Sequence, residues 1–472
     1  MMRALLPILL LASCASAPVA LRPESPNIVI VFTDDQGYGD IGIQGAVGFT
    51  TPNIDRLAKD GVRFTDFYVA QPVCSASRAA LLTGCYPNRI GISGAFGPDA
   101  KHGLHTSEVT LAEVCKSRGY ATAIFGKWHL GHLPEFLPTC HGFDTYSGIP
   151  YSNDMWPFHP EGGNWGDLPT FENEDIIGVN TDQSKFTSDF SARAAAFIDE
   201  HADEPFFVYV PHPMPHVPLH ASDTFRGSSD QGMYGDVIQE IDAGLGTILE
   251  ALERNGLEND TLVIFTSDNG PWLSYGDHAG TTGPLREGKG TTFEGGVRVP
   301  FVARFPGRIP SGTTCSEPAM TIDVLPTVAN LIHASLPDHP IDGLDIWPLL
   351  TSEPDAKSPH ESLFFYYRKN ELQAMRSGNW KLHFPHGYRS MHGREIGTGG
   401  TPGKYDYGVK TGLELYDLGA DIGESKDLAA EYPDVVYRLQ VQADAMRAEL
   451  GDTRVEAIGS GVREPGRVTV PR

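Results

Sequence analysis

The 472-residue chain lacks an excess of positive charge: 36 Lys and Arg stand against 60 Asp and Glu, a formal net charge of -24. That deficit excludes nucleic acid as a main partner, because phosphate backbones are held by basic faces. An anionic substrate would need a local pocket of positive charge or metal. Cysteine is scarce, six residues with no CxxC pair and no zinc-like Cys/His spacing, which excludes a structural zinc module. There is no heptad and no internal repeat, so coiled coils and solenoids drop out. Beyond the first 20 residues no run is long and apolar enough to span a membrane as a helix. What remains is 40% hydrophobic and 10% aromatic residues, enough for a large core. The length favours two domains.

The N-terminal stretch MMRALLPILLLASCASAPVA has a short basic start, a Leu-rich run and then small residues. This is the pattern of an export signal over residues 1–20. Leu11-Ala12-Ser13-Cys14 also resembles a bacterial lipoprotein box, in which case the signal ends before Cys14. The expected location is therefore periplasmic, outer-membrane lipoprotein or extracellular, or lysosomal or secreted in a eukaryote. Export permits disulfides. Cys74, Cys85, Cys115, Cys140 and Cys315 are five, so one thiol is left over if the others pair.

Continuous β-branched and aromatic runs at 28–32, 121–125, 206–210, 261–266 and 299–305 read as strands buried on both faces. Helical patterns fall between them, at 51–61, 110–119, 186–201, 235–255 and 321–332. The alternation predicts an α/β fold, a mostly parallel sheet flanked by helices, over residues 25–355. Glycine and proline thicken over 131–169, which reads as loop and turn. From residue 356 to 472 the texture changes to short strands (SLFFYYR, LQAMRSGNWKLHF, LELYDL) and a helix at 434–450. This predicts a smaller C-terminal α+β domain with an antiparallel sheet.

Polar, chemically capable residues follow directly on four of these strands: Asp34 and Asp35, Lys127 and His129, His216, and Asp268 and Asn269. In a parallel sheet all four ends lie on one edge, where α/β folds place ligands. Asp34, Asp35, Asp268 and Asn269 offer oxygen ligands, which suit a hard cation, calcium or magnesium, and argue against zinc. Arg78, Lys127, Lys289 and the histidines supply positive charge and donors. Metal and cations together are what an oxyanion with several negative oxygens requires. Cys74 and Arg78 stand four apart before the helix-forming run 79–82, so both fall on one helix face if Cys74 opens the helix.

Cys74-Ser75-Ala76-Ser77-Arg78 with its trailing LLTG is similar to the signature of the type I, formylglycine-dependent sulfatases of the alkaline-phosphatase-like superfamily, and the chain resembles their arylsulfatase A-like branch. Ala76 stands where proline is commoner. The collinear blocks NIVIVFTDDQGYGDIG, GYATAIFGKWHLG, HGFDTYSGIPYSND, FTSDNGP, GKGTTFEGGVRVP and LYDLGADIGESKDLA extend the likeness over nearly the whole mature chain. The resemblance implies a sulfuric ester hydrolase that cleaves aryl or carbohydrate sulfates. It implies that a separate maturation enzyme oxidises Cys74 to formylglycine, whose hydrate attacks sulfur and then expels sulfate. It implies calcium, with magnesium the lesser choice, held by Asp34, Asp35, Asp268, Asn269 and residue 74. Arg78 would orient the formylglycine, Lys127 and Lys289 would hold sulfate oxygens, His129 would act as base, and Ser152 would help bind substrate. His216 would protonate the leaving oxygen or bind the ester; the family pattern favours it over His212 because Val-Pro follows it.

The alternative is a phosphonate monoester or phosphodiester hydrolase of the same superfamily, since both substrates present an anionic tetrahedral centre. The expected partners are a sulfated small molecule or glycan and the maturation enzyme. Three segments are candidates for selecting the rest of the substrate: 94–105, 156–175 with Trp156 and Trp165, and 383–407 with His383, His386, Tyr388, Arg389 and His392.

Overall fold

The computed structural model describes residues 25–468 apart from positions 160 and 164. The export signal and Cys14 lie outside the described residues. Four buried strands form the centre: β1 (Asn27–Thr33), β2 (Ala121–Lys127), β4 (Phe206–Pro211) and β5 (Thr261–Ser267), with β3 (Thr145–Ile149) beside β2. All five run parallel, in the spatial order β5-β1-β4-β2-β3. The antiparallel β6 (Phe301–Arg304) continues the sheet beyond β5, and short strands at both edges bring it to ten.

Alternation along β1 shows how the sheet is buried. Ile28, Ile30 and Phe32 join one core, with α1 (Cys74–Thr83), Leu111–Lys116 and Val324–Leu331 packed on that face. Val29 and Val31 join the other, beneath α2 (Phe186–Glu200) and α3 (Gly232–Arg254). A strand covered on both faces reads as a continuous apolar run, which is why these strands are visible in the sequence.

The β3 strand falls inside 131–169, which the sequence predicts to be loop. Its residues, TYSGI, are not a long apolar run. Close backbone approach holds it in place instead. A Cβ at Gly148 would lie 1.8 Å from Gly126 O, and one at Gly126, where φ is +140°, would lie 2.1 Å from Pro211 O. Three strands therefore approach each other through glycine just before Lys127.

The C-terminal region folds as the sequence predicts. Strands β7 (Leu363–Tyr367), β8 (Glu371–Ser377), β9 (Trp380–His383) and β12 (Glu414–Asp417) form an antiparallel sheet in that order. A separate hairpin pairs β10 (His386–Ser390) with β11 (Asp406–Thr411), and α4 spans Pro433–Leu450. This module is keyed to the large sheet by buried charge. Arg298 and Arg376 share Asp66 at 2.7 and 2.6 Å, and Lys381 bridges Glu294 and Glu424 at 2.8 and 3.1 Å. His383 and His386, offered above as substrate-reading residues, are buried; His383 Nε2 lies 2.8 Å from Glu424. They serve this interface. Cys74, Cys85, Cys115, Cys140 and Cys315 are all free thiols.

Replacing Gly126 by Ala forces a Cβ against backbone, which cannot swing aside. We expect Gly126→Ala to lose about 2–4 kcal/mol of stability in chemical denaturation. A second expectation concerns His360, whose Nε2 lies 2.6 Å from Asp323 Oδ1. Burial pulls its pKa down, but Asp323 more than offsets this and raises it. The stabilisation is therefore complete below the unfolded value of about 6.5 and is lost as pH rises through the folded value. His360→Gln should destabilise the protein at pH 6 and have little effect at pH 9, measured by urea midpoints.

Candidate active site

Because β1 and β5 pair in register, Thr33 against Ser267, the residues that follow them lie side by side. Asp34 and Asp268 are both fully buried, and the Arg78 guanidinium bridges them from α1: Nη2 is 3.0 Å from Asp34 Oδ2 and 2.9 Å from Asp268 Oδ2. Arg78 Nη1 donates to Lys127 O at 3.1 Å, which ties in the end of β2. Lys127 Nζ in turn reaches Asp34 Oδ2 at 2.5 Å and Ser152 Oγ, just past β3, at 3.0 Å.

A second set centres on Asp35. Its carboxylate takes Lys289 Nζ at 2.7 Å and Asn269 Nδ2 at 2.7 Å, and its N–H donates to Asp268 Oδ1 at 3.0 Å. His216 Nε2, from the segment after β4, stands 3.6 Å away. Asp35 holds a left-handed φ of 66° and His129 one of 61°. Non-glycine residues adopt that region where the surroundings demand it, often at functional sites.

Cys74 is the first residue of α1, one turn before Arg78 and 3% exposed. Ligand atoms of Asp34, Cys74 and Asp268 lie within 4.8 Å of one another, as do those of Asp34, Asp35 and His216. His216 thus enters a metal-capable cluster that the sequence reading confined to Asp34, Asp35, Cys74, Asp268 and Asn269. Two buried oxygens, Asp34 Oδ1 and Asn269 Oδ1, have no hydrogen-bond partner among the described residues. Unpartnered buried oxygens beside carboxylates are what a hard cation would satisfy.

The electrostatics follow from burial and neighbours. Burial alone would raise the Asp34 pKa, but Lys127 and Arg78 outweigh it and hold the carboxyl well below its usual range. Asp268 is pushed up to about 7, by burial first and Asp34 second, with Arg78 opposing. Burial raises the Cys74 thiol, against Lys127 and Lys289. An unmodified cysteine here is therefore a poor thiolate nucleophile.

Hydrogen bonds fix both imidazoles. A carbonyl only accepts, so His216 Nδ1 donates to Val217 O at 2.6 Å and His129 Nε2 donates to Phe96 O at 2.8 Å. His129 Nδ1 is left buried without a partner among the described residues. Burial and then Lys127 lower the His129 pKa well below normal. His129 is accordingly a neutral imidazole with a free lone pair. Lys127, Arg78 and Asp34 all act on it electrostatically, and Phe96, which accepts from it, is tied to α1 because Phe96 N donates to Ser75 Oγ at 3.0 Å. His212, the competitor of His216, is buried with neither ring nitrogen partnered among the described residues.

The sulfatase family model matches residues 26–334, and the model for the C-terminal region of aryl-sulfatase matches residues 358–461. The chain belongs to the sulfatase family. The sulfatase is 42% identical to human arylsulfatase A over 476 residues, covering 94% of this chain and 91% of that protein. It is 38% identical to the N-acetylgalactosamine-6-sulfatase of Canis lupus familiaris over 461 residues, covering 92% and 88%. The solved PsFucS1 sulfatase from Pseudoalteromonas sp. superposes with a TM-score of 0.79 at 27% identity, covering 92% of each chain. The protein is an enzyme that hydrolyses sulfate esters.

Sequence reasoning did not find Trp272, three residues past Asn269. Its ring lies 4.5 Å from Lys289 Nζ and packs edge-on against His216 at 5.5 Å between centroids. The signal available was its position directly after the DNGP block. Of the three loop candidates, 94–105 reaches the site through Phe96, bonded to His129 and Ser75, and 383–407 reaches it through Arg389. Trp165 is exposed, whereas Trp156 packs on Phe158 and His220.

Arg78 bridges two buried carboxylates, so its loss leaves Asp268 without its paired cation in the sulfatase core, with Lys127 still on Asp34. Arg78→Ala should destabilise the protein by about 3–5 kcal/mol, read as a drop in denaturant midpoint.

Proposed function

We propose that the sulfatase works through a formylglycine made from Cys74 and a calcium ion held by Asp34, Asp35, Asp268 and Asn269, and that its substrates are aryl or carbohydrate sulfate esters. The observation that carries this reading is the placement of Cys74. It opens α1 beside Asp34 and Asp268, and its high thiol pKa makes it unsuited to act unmodified. The residues fit the metal: three carboxylates and one amide supply oxygen, and Asp34 Oδ1 and Asn269 Oδ1 lack other partners among the described residues. Magnesium fits less well, because it favours water-rich coordination over an all-protein cage.

Calcium when bound would polarise the sulfate oxygens, and the hydrated formylglycine would supply a nucleophile whose second hydroxyl lets sulfate leave. The chain's own residues supply the rest. Arg78 orients residue 74 from one turn along the helix and balances the two acids. Lys127 and Lys289 hold sulfate oxygens, giving up part of their pairing with Asp34 and Asp35 as the anion arrives. Ser152, bonded to Lys127, adds a hydroxyl to that pocket. His216 is held by Val217 O so that Nε2 presents the proton to the leaving oxygen. Burial and Lys289 lower its pKa, and Asp35 opposes them. An anion bound beside it favours the imidazolium. His129, with Nδ1 free, takes the proton of the second hydroxyl. Export before or during maturation completes the reading, with a separate enzyme oxidising Cys74.

Mass spectrometry of the tryptic peptide bearing position 74, from a host with the maturation machinery, should find the aldehyde. Full activity from unmodified cysteine would refute the mechanism. Lys127→Ala should lower kcat/KM on an aryl sulfate by roughly 10²–10³, and a calcium chelator should lower activity reversibly. Side-by-side rates on an aryl sulfate and an aryl phosphonate should favour the sulfate.

A further inference from the structure

The lysine proposed above to hold sulfate sits on a glycine-flanked loop, a poor mount for a precise contact unless its backbone is fixed. Three backbone anchors fix it. Lys289 N donates to Pro271 O at 2.9 Å, and Gly290 N donates to Pro72 O at 2.9 Å, two residues before Cys74. The third comes from the other module. Arg389, on β10 of the C-terminal hairpin, turns two edges of its guanidinium onto one atom: Nε at 3.0 Å and Nη2 at 2.6 Å from Lys289 O.

The guanidinium is itself held. Its carbon lies 4.6 Å from the Tyr405 ring centroid and 5.6 Å from that of Trp272. Tyr405 Oη accepts from Ser274 N at 3.3 Å, which ties that ring to the Trp272 segment. The same Trp272 ring also serves Lys289 Nζ at 4.5 Å. Space is tight: a Cβ at Gly290, where φ is +76°, would lie 2.7 Å from Arg389 Nη2. Lysine could not reproduce this arrangement, since an ammonium is a point donor with no planar fork and no stacking face.

We infer that Arg389 is a positioning residue of the active site: the C-terminal module uses it to clamp the Lys289 carbonyl and set the Lys289 ammonium against Trp272 and Asp35. The inference rests on the assignment of Lys289 to the sulfate pocket. It makes the C-terminal module a contributor to the reaction site as well as a packing partner. Arg389 acts through Lys289, so its effect must vanish when the lysine side chain is absent.

The test is a mutant cycle on an aryl sulfate, with thermal melts confirming that each variant is folded. Arg389→Ala should lower kcat/KM roughly 10- to 100-fold, the scale of a misplacement of about 1 Å. Arg389→Lys should recover little of that loss, because the charge survives and the fork does not. In the Lys289→Ala background, adding Arg389→Ala should cost less than about twofold. A wild-type rate in Arg389→Lys, or full additivity in the double variant, overturns the clamp. An unimpaired Lys289→Ala alone sinks the pocket assignment and the clamp together, and so separates the two failures. If Arg389→Ala does not fold, Arg389→Lys with and without Lys289→Ala carries the same cycle.

Discussion

The structure hangs on one interaction, the Arg78 guanidinium between Asp34 and Asp268. Parallel pairing of β1 with β5 in register puts the two acids next to each other at the edge of a sheet covered on both faces. Like charges at that range and burial oppose folding unless a cation lies between them. Arginine is suited to the task because its fork reaches both carboxylates while staying charged. Once Arg78 is committed there, α1 must dock its first turns over the strand ends. Cys74, one turn earlier on the same face, is thereby delivered to the acids. Sheet register thus decides where Cys74 stands.

The site is balanced locally within a strongly acidic protein. Asp34, Asp35 and Asp268 face Arg78, Lys127 and Lys289, three acids and three bases drawn together from five separate segments. Such a balance leaves no surplus to attract a sulfate ester. A divalent cation on the unpartnered oxygens of Asp34 and Asn269 would create that surplus and free the lysines to turn toward substrate. On this view the ion pairs keep buried lysines charged and aimed until an anion exchanges with the carboxylates. The direction of the Lys289 pKa agrees: burial would lower it, and Asp35 raises it instead.

Much of this was legible in the sequence, for a physical reason. Strands buried on both faces announce themselves as unbroken apolar runs, and parallel strands with right-handed crossovers bring their carboxyl ends to one edge. Asp34, Lys127, His216 and Asp268 could therefore be assembled from four strand ends without coordinates. The β3 strand could not, because backbone packing over Gly126 and Gly148 holds it and its side chains advertise nothing. Trp272 was missed for the opposite reason: a lone aromatic in a turn has a long list of ordinary partners. His383 and His386 looked available for selecting the rest of the substrate because local sequence cannot reveal that Glu424 and Phe293 enclose them. Contacts between modules depend on choices made dozens to hundreds of residues apart, and no local period records them.

That long-range layer is where the C-terminal module acquires its meaning. An interface stabilised by apolar area alone tolerates sliding, whereas one threaded by Asp66, Arg298, Arg376, Glu294, Lys381 and Glu424 has a single register in which every buried charge is matched. A slip of one position would strand several charges in a dry interface, at several kcal/mol each. The same register sets β10, and with it Arg389, against the loop that carries Lys289. The buried ion network and the Arg389 fork are therefore two parts of one device. The first fixes how the modules meet, and the second converts that fixed meeting into the position of a single ammonium group.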